Sequence, residues 1–105
     1  TVWTAWRGDR ICGMVALKQL GPDAAEVKSM RTHPDHLRSG VAAALLDHLI
    51  EAAKGRGIRT LSLETGRAAS FEPALALYRR RGFVPGERFG DYEASEFNQF
   101  FHMAL

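Results

Sequence analysis

The chain has 105 residues, 46% of them hydrophobic and 25% charged, with a formal net charge of +2. That length suits one small domain, and the composition is that of a folded globular protein. So mild a basic excess argues against a nucleic-acid partner, whose binder gathers many more cations on one face, and fits an anionic small ligand better.

Val2–Arg7 alternates and is rich in Val, Trp and Thr, which predicts a strand. Gly8-Asp9 follows as a two-residue turn with Gly first, the preference of a type II′ hairpin, and Arg10–Leu20 resumes as a second strand. The hairpin also explains the tripeptide Arg7-Gly8-Asp9 without an adhesion receptor. Cys12, the only cysteine, lies in the apolar run Ile11–Val15 and reads as a small buried residue; alone, it excludes an internal disulfide and a CxxC zinc site.

Gly21-Pro22-Asp23 marks a second turn, and Ala25–Thr32 a third strand. Strict alternation puts Val27, Ser29 and Arg31 on one face and Glu26, Lys28, Met30 and Thr32 on the other. Pro34 stops the strand. From Gly40 to Arg56 the period lengthens: Val41, Leu45, Leu49 and Ala52 form an apolar stripe opposite Asp47, Glu51 and Lys54, an amphipathic helix ended by Gly55 and Gly57. Thr60–Thr65 is a fourth strand. Pro73 opens a second helix reaching about Arg81, with Gly82 as its stop. Phe83-Val84 begins a fifth strand, and Phe97–Leu105 is the last.

The order is β-β-β-α-β-α-β-β, an α/β fold with a mixed, mostly antiparallel sheet; the crossover through the long helix predicts a parallel pair. No apolar stretch reaches transmembrane length and no signal peptide is visible, so the expectation is a cytoplasmic protein without a membrane partner.

The informative stretch is Met30-Arg31-Thr32-His33-Pro34-Asp35-His36-Leu37-Arg38-Ser39-Gly40-Val41-Ala42-Ala43, which runs from strand to short loop to helix. A helix start leaves unpaired N–H groups and a partial positive charge that together hold phosphate. Gly40 and Ala42 keep side chains away from an approaching pyrophosphate, and Arg38 adds a positive charge. Neither a P-loop nor a dinucleotide GxGxxG is present, and an ordinary helix start packed with small residues is the competing reading. His33, Asp35 and His36 do not converge as metal ligands, so no metal is expected.

This stretch resembles the phosphate motif of the GNAT superfamily of acetyl-coenzyme-A-dependent N-acetyltransferases, Gln/Arg-x-x-Gly-x-Gly/Ala, which falls here on Leu37-Arg38-Ser39-Gly40-Val41-Ala42. Leu37 departs from the family's first residue. A second motif, Leu-Tyr-x-x-x-Gly-Phe, matches Leu77-Tyr78-Arg79-Arg80-Arg81-Gly82-Phe83. Where the family often carries Asn, seven residues before the Tyr, this chain has Phe71, so one contact to the pantetheine arm is lost or replaced. The resemblance covers nearly the whole chain but starts late: the family usually opens with a further strand and one or two helices that wall the acceptor. An incomplete chain, a minimal variant and a partner chain remain open, and an uncovered apolar sheet would favour a homodimer.

The resemblance implies acetyl-coenzyme A as co-substrate and a primary amine of a small molecule or peptide as acceptor. It implies coenzyme contacts along Met30, Arg31 and Thr32, at Leu37–Ala43 and at Phe71, Tyr78 as the acid that protonates the departing thiolate, and Glu26 as the base. Tyr78 reads alternatively as a core tyrosine, Glu26 as a solvated strand carboxylate, and Glu64 competes with Glu26 for the same role. A non-catalytic coenzyme-binding module is the alternative for the whole chain.

Overall fold

A computed structural model of the chain describes every residue except Arg38. Gly8 turns the first hairpin at φ +61 while Asp9 stays at negative φ, as a type II′ turn requires, and joins β1 (Val2–Arg7) to β2 (Arg10–Gln19) antiparallel. β3 (Ala24–Thr32) returns beside β2. The helix α1 (Val41–Gly55) crosses over to β4 (Thr60–Gly66), and α2 (Glu72–Arg80) to the short β5 (Val84–Gly86). β6 (Asn98–Ala104) slots between β4 and β5, giving one sheet of six strands in the order β1-β2-β3-β4-β6-β5. Every neighbouring pair is antiparallel except β3 and β4. The expected element order and mixed sheet are therefore present.

Directly paired residues share a sheet face, which sorts the side chains. Val15, Leu17, Ala25, Val27, Leu61, Leu63 and Phe101 are buried in one core with the stripe Val41, Leu45, Leu46, Leu49, Ile50 and Ala53 of α1 and with Leu75, Leu77 and Tyr78 of α2. Cys12 is buried there too. Arg81 locks the two helices together through a two-pronged bond to Asp47, at 2.6 and 3.1 Å; this guanidinium holds the Asp47 carboxyl below its usual range, chiefly by hydrogen bonding.

The opposite face carries no helix. Glu26, Ser62, Glu64, Phe100 and His102 lie on it by register. Val84 pairs with His102 on the same face, and Val2, Trp6, Ile11 and Val84 are exposed apolar side chains at its two ends.

Alternation along β3 breaks at Ser29, which sits at φ +57, the one positive-φ non-glycine among the described residues. Lys28 pairs with Ala16 but Arg31 with Met14, so β3 holds one residue more than β2 over that span, a β-bulge. The extra residue corrects the face assignment made from strict alternation. Met30 turns onto the helix side, where it packs against the core, and Arg31 joins the face of Glu26.

Gly13 on β2 lets α1 lie close. A Cβ there would stand 2.8 Å from the Arg31 carbonyl oxygen and 2.9 Å from Cγ1 of Val41. Gly13→Ala is expected to lose about 1–3 kcal/mol by overpacking, read as a lower urea midpoint at unchanged slope; an unmoved midpoint would contradict this packing.

Candidate functional site

β3 and β4 pair only over Ala24–Glu26 and Thr60–Ser62. Beyond Glu26 and Ser62 they part: β4 continues to Gly66 against β6 alone, and β3 continues to Thr32 against β2 alone. Since both strands run the same way, the cleft opens at their carboxyl ends, the end at which ligands seat in open α/β sheets. The backbone of residues 27–32 and of 63–66 lines it.

α1 begins at the same end. Its N-cap is Gly40, at φ +84, with no side-chain cap bond and no acid in the first turn. Ser39 does not cap it either, because its Oγ donates back to the His36 carbonyl at 2.5 Å. The first intrahelical bond runs from the Ala44 N–H to the Gly40 oxygen, which leaves the amides of Val41, Ala42 and Ala43 as the unpaired donors of the helix start. A Cβ on Gly40 would meet nothing within 4 Å, so the approach to these amides is open. Leu37 is exposed in the lead-in. The positive charge assigned to Arg38 lies outside the described residues. His33 accepts from the Asp35 amide at 3.2 Å, and no metal-holding cluster exists among the described residues.

On the far side of the cleft, Phe71 is the N-cap of α2 and lays its ring on Gly66, where a Cβ would come within 2.5 Å of it. Tyr78, two turns on, is buried and meets Phe83 edge-to-face at 5.7 Å between ring centres. Burial pushes its phenol up to about 12, since the phenolate would lose its water.

Glu26 is 3% exposed, on the helix-free face. Tyr92, in the loop between β5 and β6, donates its hydroxyl to Oε2 of Glu26 at 2.5 Å. Burial first, then this bond and the charges of Glu26 and Glu64, hold the Tyr92 phenol well above its ordinary range. Phe89 and Phe100 pack around Tyr92, with ring centres 5.4 and 6.1 Å away. Glu64 accepts from Asn98 Nδ2 at 3.4 Å. Beside them Ser62 Oγ lies 2.7 Å from His102 Nδ1, and His102 Nε2 lies 2.7 Å from the Glu87 carbonyl. The carbonyl can only accept, so Nε2 carries a proton, and in the neutral ring Ser62 donates to Nδ1. Sequence reasoning named Glu26 and Glu64 but missed Tyr92, Ser62 and His102. Tyr92 stands 66 positions from Glu26, in a loop with no periodicity to place it.

Of the residues named from sequence, the bulge and the parted strands bring Met30, Arg31, Thr32 and the Gly40–Ala43 turn to one end of the sheet. Glu26 sits where the cleft closes.

The family model described as Acetyltransferase (GNAT) family matches residues 1–83. The uncharacterized N-acetyltransferase YsnE of Bacillus subtilis is 54% identical over 88% of this chain and 61% of its own length. The uncharacterized N-acetyltransferase YedL of Escherichia coli is 41% identical over 100% of this chain and 66% of its own length. The crystal structure of the ribosomal-protein-S18-alanine N-acetyltransferase from Escherichia coli superposes with a TM-score of 0.81 at 25% identity, over 99% of this chain and 68% of that one. The chain thus spans about three fifths to two thirds of the length of these two curated relatives. A match over most of the chain, on a sheet parted where the motifs fall, has one consequence: the chain belongs to the GNAT acetyltransferase family.

Proposed function

We propose that the chain is the coenzyme-binding core of an acetyl-coenzyme-A-dependent N-acetyltransferase, acting on a primary amine of a small molecule or an exposed amino group by direct attack in a ternary complex. The observation that carries the proposal is the uncapped start of α1 at the mouth of the cleft between β3 and β4. A cytoplasmic setting belongs to the same proposal; among the described residues no helix is long and apolar enough to cross a membrane.

In this reading the amides of Gly40–Ala43 take the diphosphate, with Leu37 and Ser39 in the approach and the charge of Arg38 adding to the attraction. The free strand edge at Met30, Arg31 and Thr32 pairs with the amides of the pantetheine arm and donates to the thioester carbonyl. Phe71 offers an aromatic wall in place of an amide contact. This set fits an extended, amide-bearing diphosphate better than a compact nucleotide, because it combines a phosphate turn with an unpaired strand.

Glu26 draws the proton from the amine as the nitrogen attacks the carbonyl carbon, and Tyr92 is the relay: its oxygen accepts from the amine while its hydrogen passes to Glu26. Glu64, next along β4, is the alternative base. The carbon–sulfur bond then breaks. Tyr78 hydrogen-bonds the leaving sulfur and protonates it, recovering its own proton from solvent. A phenol at about 12 gives up a proton uphill to a thiolate whose thiol lies near about 8.5 in water, so most of its help comes from the hydrogen bond it donates as charge builds on sulfur.

Acetyl-coenzyme A is expected to raise the melting temperature; no shift at millimolar ligand would overturn the binding reading. Tyr78→Phe should lower kcat by about 10- to 100-fold at unchanged coenzyme affinity, and unchanged turnover would remove Tyr78 from the reaction. Coenzyme binding without turnover of any amine would favour the non-catalytic module.

Tyr78 also makes a stability prediction. Its folded-state pKa of about 12 lies above the unfolded value of 10.0, so its share of the stability is intact below pH 10 and is lost as pH rises from there to about 12. Tyr78→Phe should flatten the alkaline limb of a denaturation series by roughly 2 kcal/mol; a limb identical to the parent's would contradict the burial of this phenol.

A further inference from the structure

A cavity of about 940 Å³ lies between the β5–β6 loop and the start of β6, next to the rings that pack on Tyr92. Phe89 and Phe100 form its apolar wall, and these are the rings that pack around Tyr92. Arg67 and Arg88 line it as cations, and Glu87 is the one acid in the lining. The other polar side chains there are committed. Asn98 donates to the Glu93 carbonyl and to Glu64 and accepts from the Ser95 amide. Ser95 Oγ is engaged by Asn98 and by the Phe97 amide, and Gln99 Nε2 donates to the Gly66 carbonyl. The Arg67 side chain is held by a single bond, from Nε to the Asn98 carbonyl at 2.8 Å. That bond fixes the guanidinium at the rim of the cavity and leaves its terminal nitrogens as donors. Neither Arg67 nor Arg88 has an ion-pair partner within 4.0 Å among the described residues.

We propose that this cavity selects acceptors that carry a carboxylate as well as an amine, with Arg67 and Arg88 binding the carboxylate, Phe89 and Phe100 packing on an apolar middle, and the amine reaching Tyr92 and Glu26. The inference rests on the functional reading above and adds the acceptor class to it. A guanidinium anchored by Nε presents its remaining donors in a fork that matches a carboxylate two-to-two. The strand register gives the length. Ser62 stands opposite Glu26 and Arg67 lies five residues further on, about 16 Å of strand at roughly 3.3 Å per residue. A single amino acid is too short for that span, whereas a peptide of two or three residues with a free carboxyl end bridges it once the arginine side chains reach inward.

The test compares the tripeptide Ala-Phe-Ala with its C-terminal amide, which has the same amine and the same bulk and lacks only the negative charge. Calorimetric titration of the full chain saturated with coenzyme A should show the free acid binding at least 10-fold more tightly than the amide. Arg67→Gln should bring the two within 2-fold, and Arg88→Gln, which disturbs no bond given above, should narrow the gap as well. Equal binding of acid and amide to the parent protein, or no binding of either, overturns the proposal, as does a preference that survives both substitutions. Thiol release with the same peptides reports separately on the enzymatic reading: acid-selective binding without turnover would leave the carboxylate site standing and remove the transferase.

Discussion

The parting of β3 from β4 beyond Glu26 and Ser62 is the constraint on which the rest of the molecule depends. Two parallel neighbours that kept their ladder to the end would bury their backbone groups in each other and leave no room for a ligand. Here the ladder stops after three pairs. A bulge at Ser29 coincides with the separation and puts a non-glycine residue at φ +57, a conformation that costs about 1 kcal/mol for an L-residue and persists only where its surroundings fix it. Amides and carbonyls that face a cleft still need partners. In the proposed complex an extended ligand bearing its own amides would supply them.

Two further features make that cleft directional. Gly13 removes a Cβ where the first turn of α1 descends onto β2 and β3, so the helix start lies close over the end of the sheet. Its amides are left uncapped by any side chain. The helix face of the sheet is largely apolar, closed by the stripe of α1 and by Leu75, Leu77 and Tyr78 of α2. The carboxylates and the imidazole of the strands collect on the other face, where Tyr92 covers Glu26 and Ser62 and His102 tie the strands to the loop after β5. In the proposed reaction the coenzyme approaches from the helix end and the amine from the helix-free face, so the reagents meet where the strands separate.

Much of this was legible in the sequence. The long helix followed from a 3.6-residue period unbroken from Val41 to Ala53, and the strands of the first hairpin from alternation around Gly8-Asp9, because in both cases local pattern and tertiary burial agree. The helix start at Gly40 was legible as strand, loop and small residues in order. Ser29 was not, since serine has no special leaning to positive φ and nothing nearby announces a bulge; the faces of Met30 and Arg31 were misassigned for that reason. Long-range polar pairs were also invisible. Arg81 reads as one of three basic residues at a helix end until Asp47, 34 positions away, takes it in a fork, and Tyr92 reads as a loop aromatic until the fold carries it over Glu26.

The central claim, that the start of α1 and the free edge of β3 form one coenzyme site, is tested most directly by amide hydrogen exchange with and without acetyl-coenzyme A. The account predicts slowed exchange concentrated in Val27–Thr32 and Gly40–Ala44, with the paired segment of β4 and β6 unchanged. Protection spread evenly over the chain, or confined to segments away from the cleft, would contradict it.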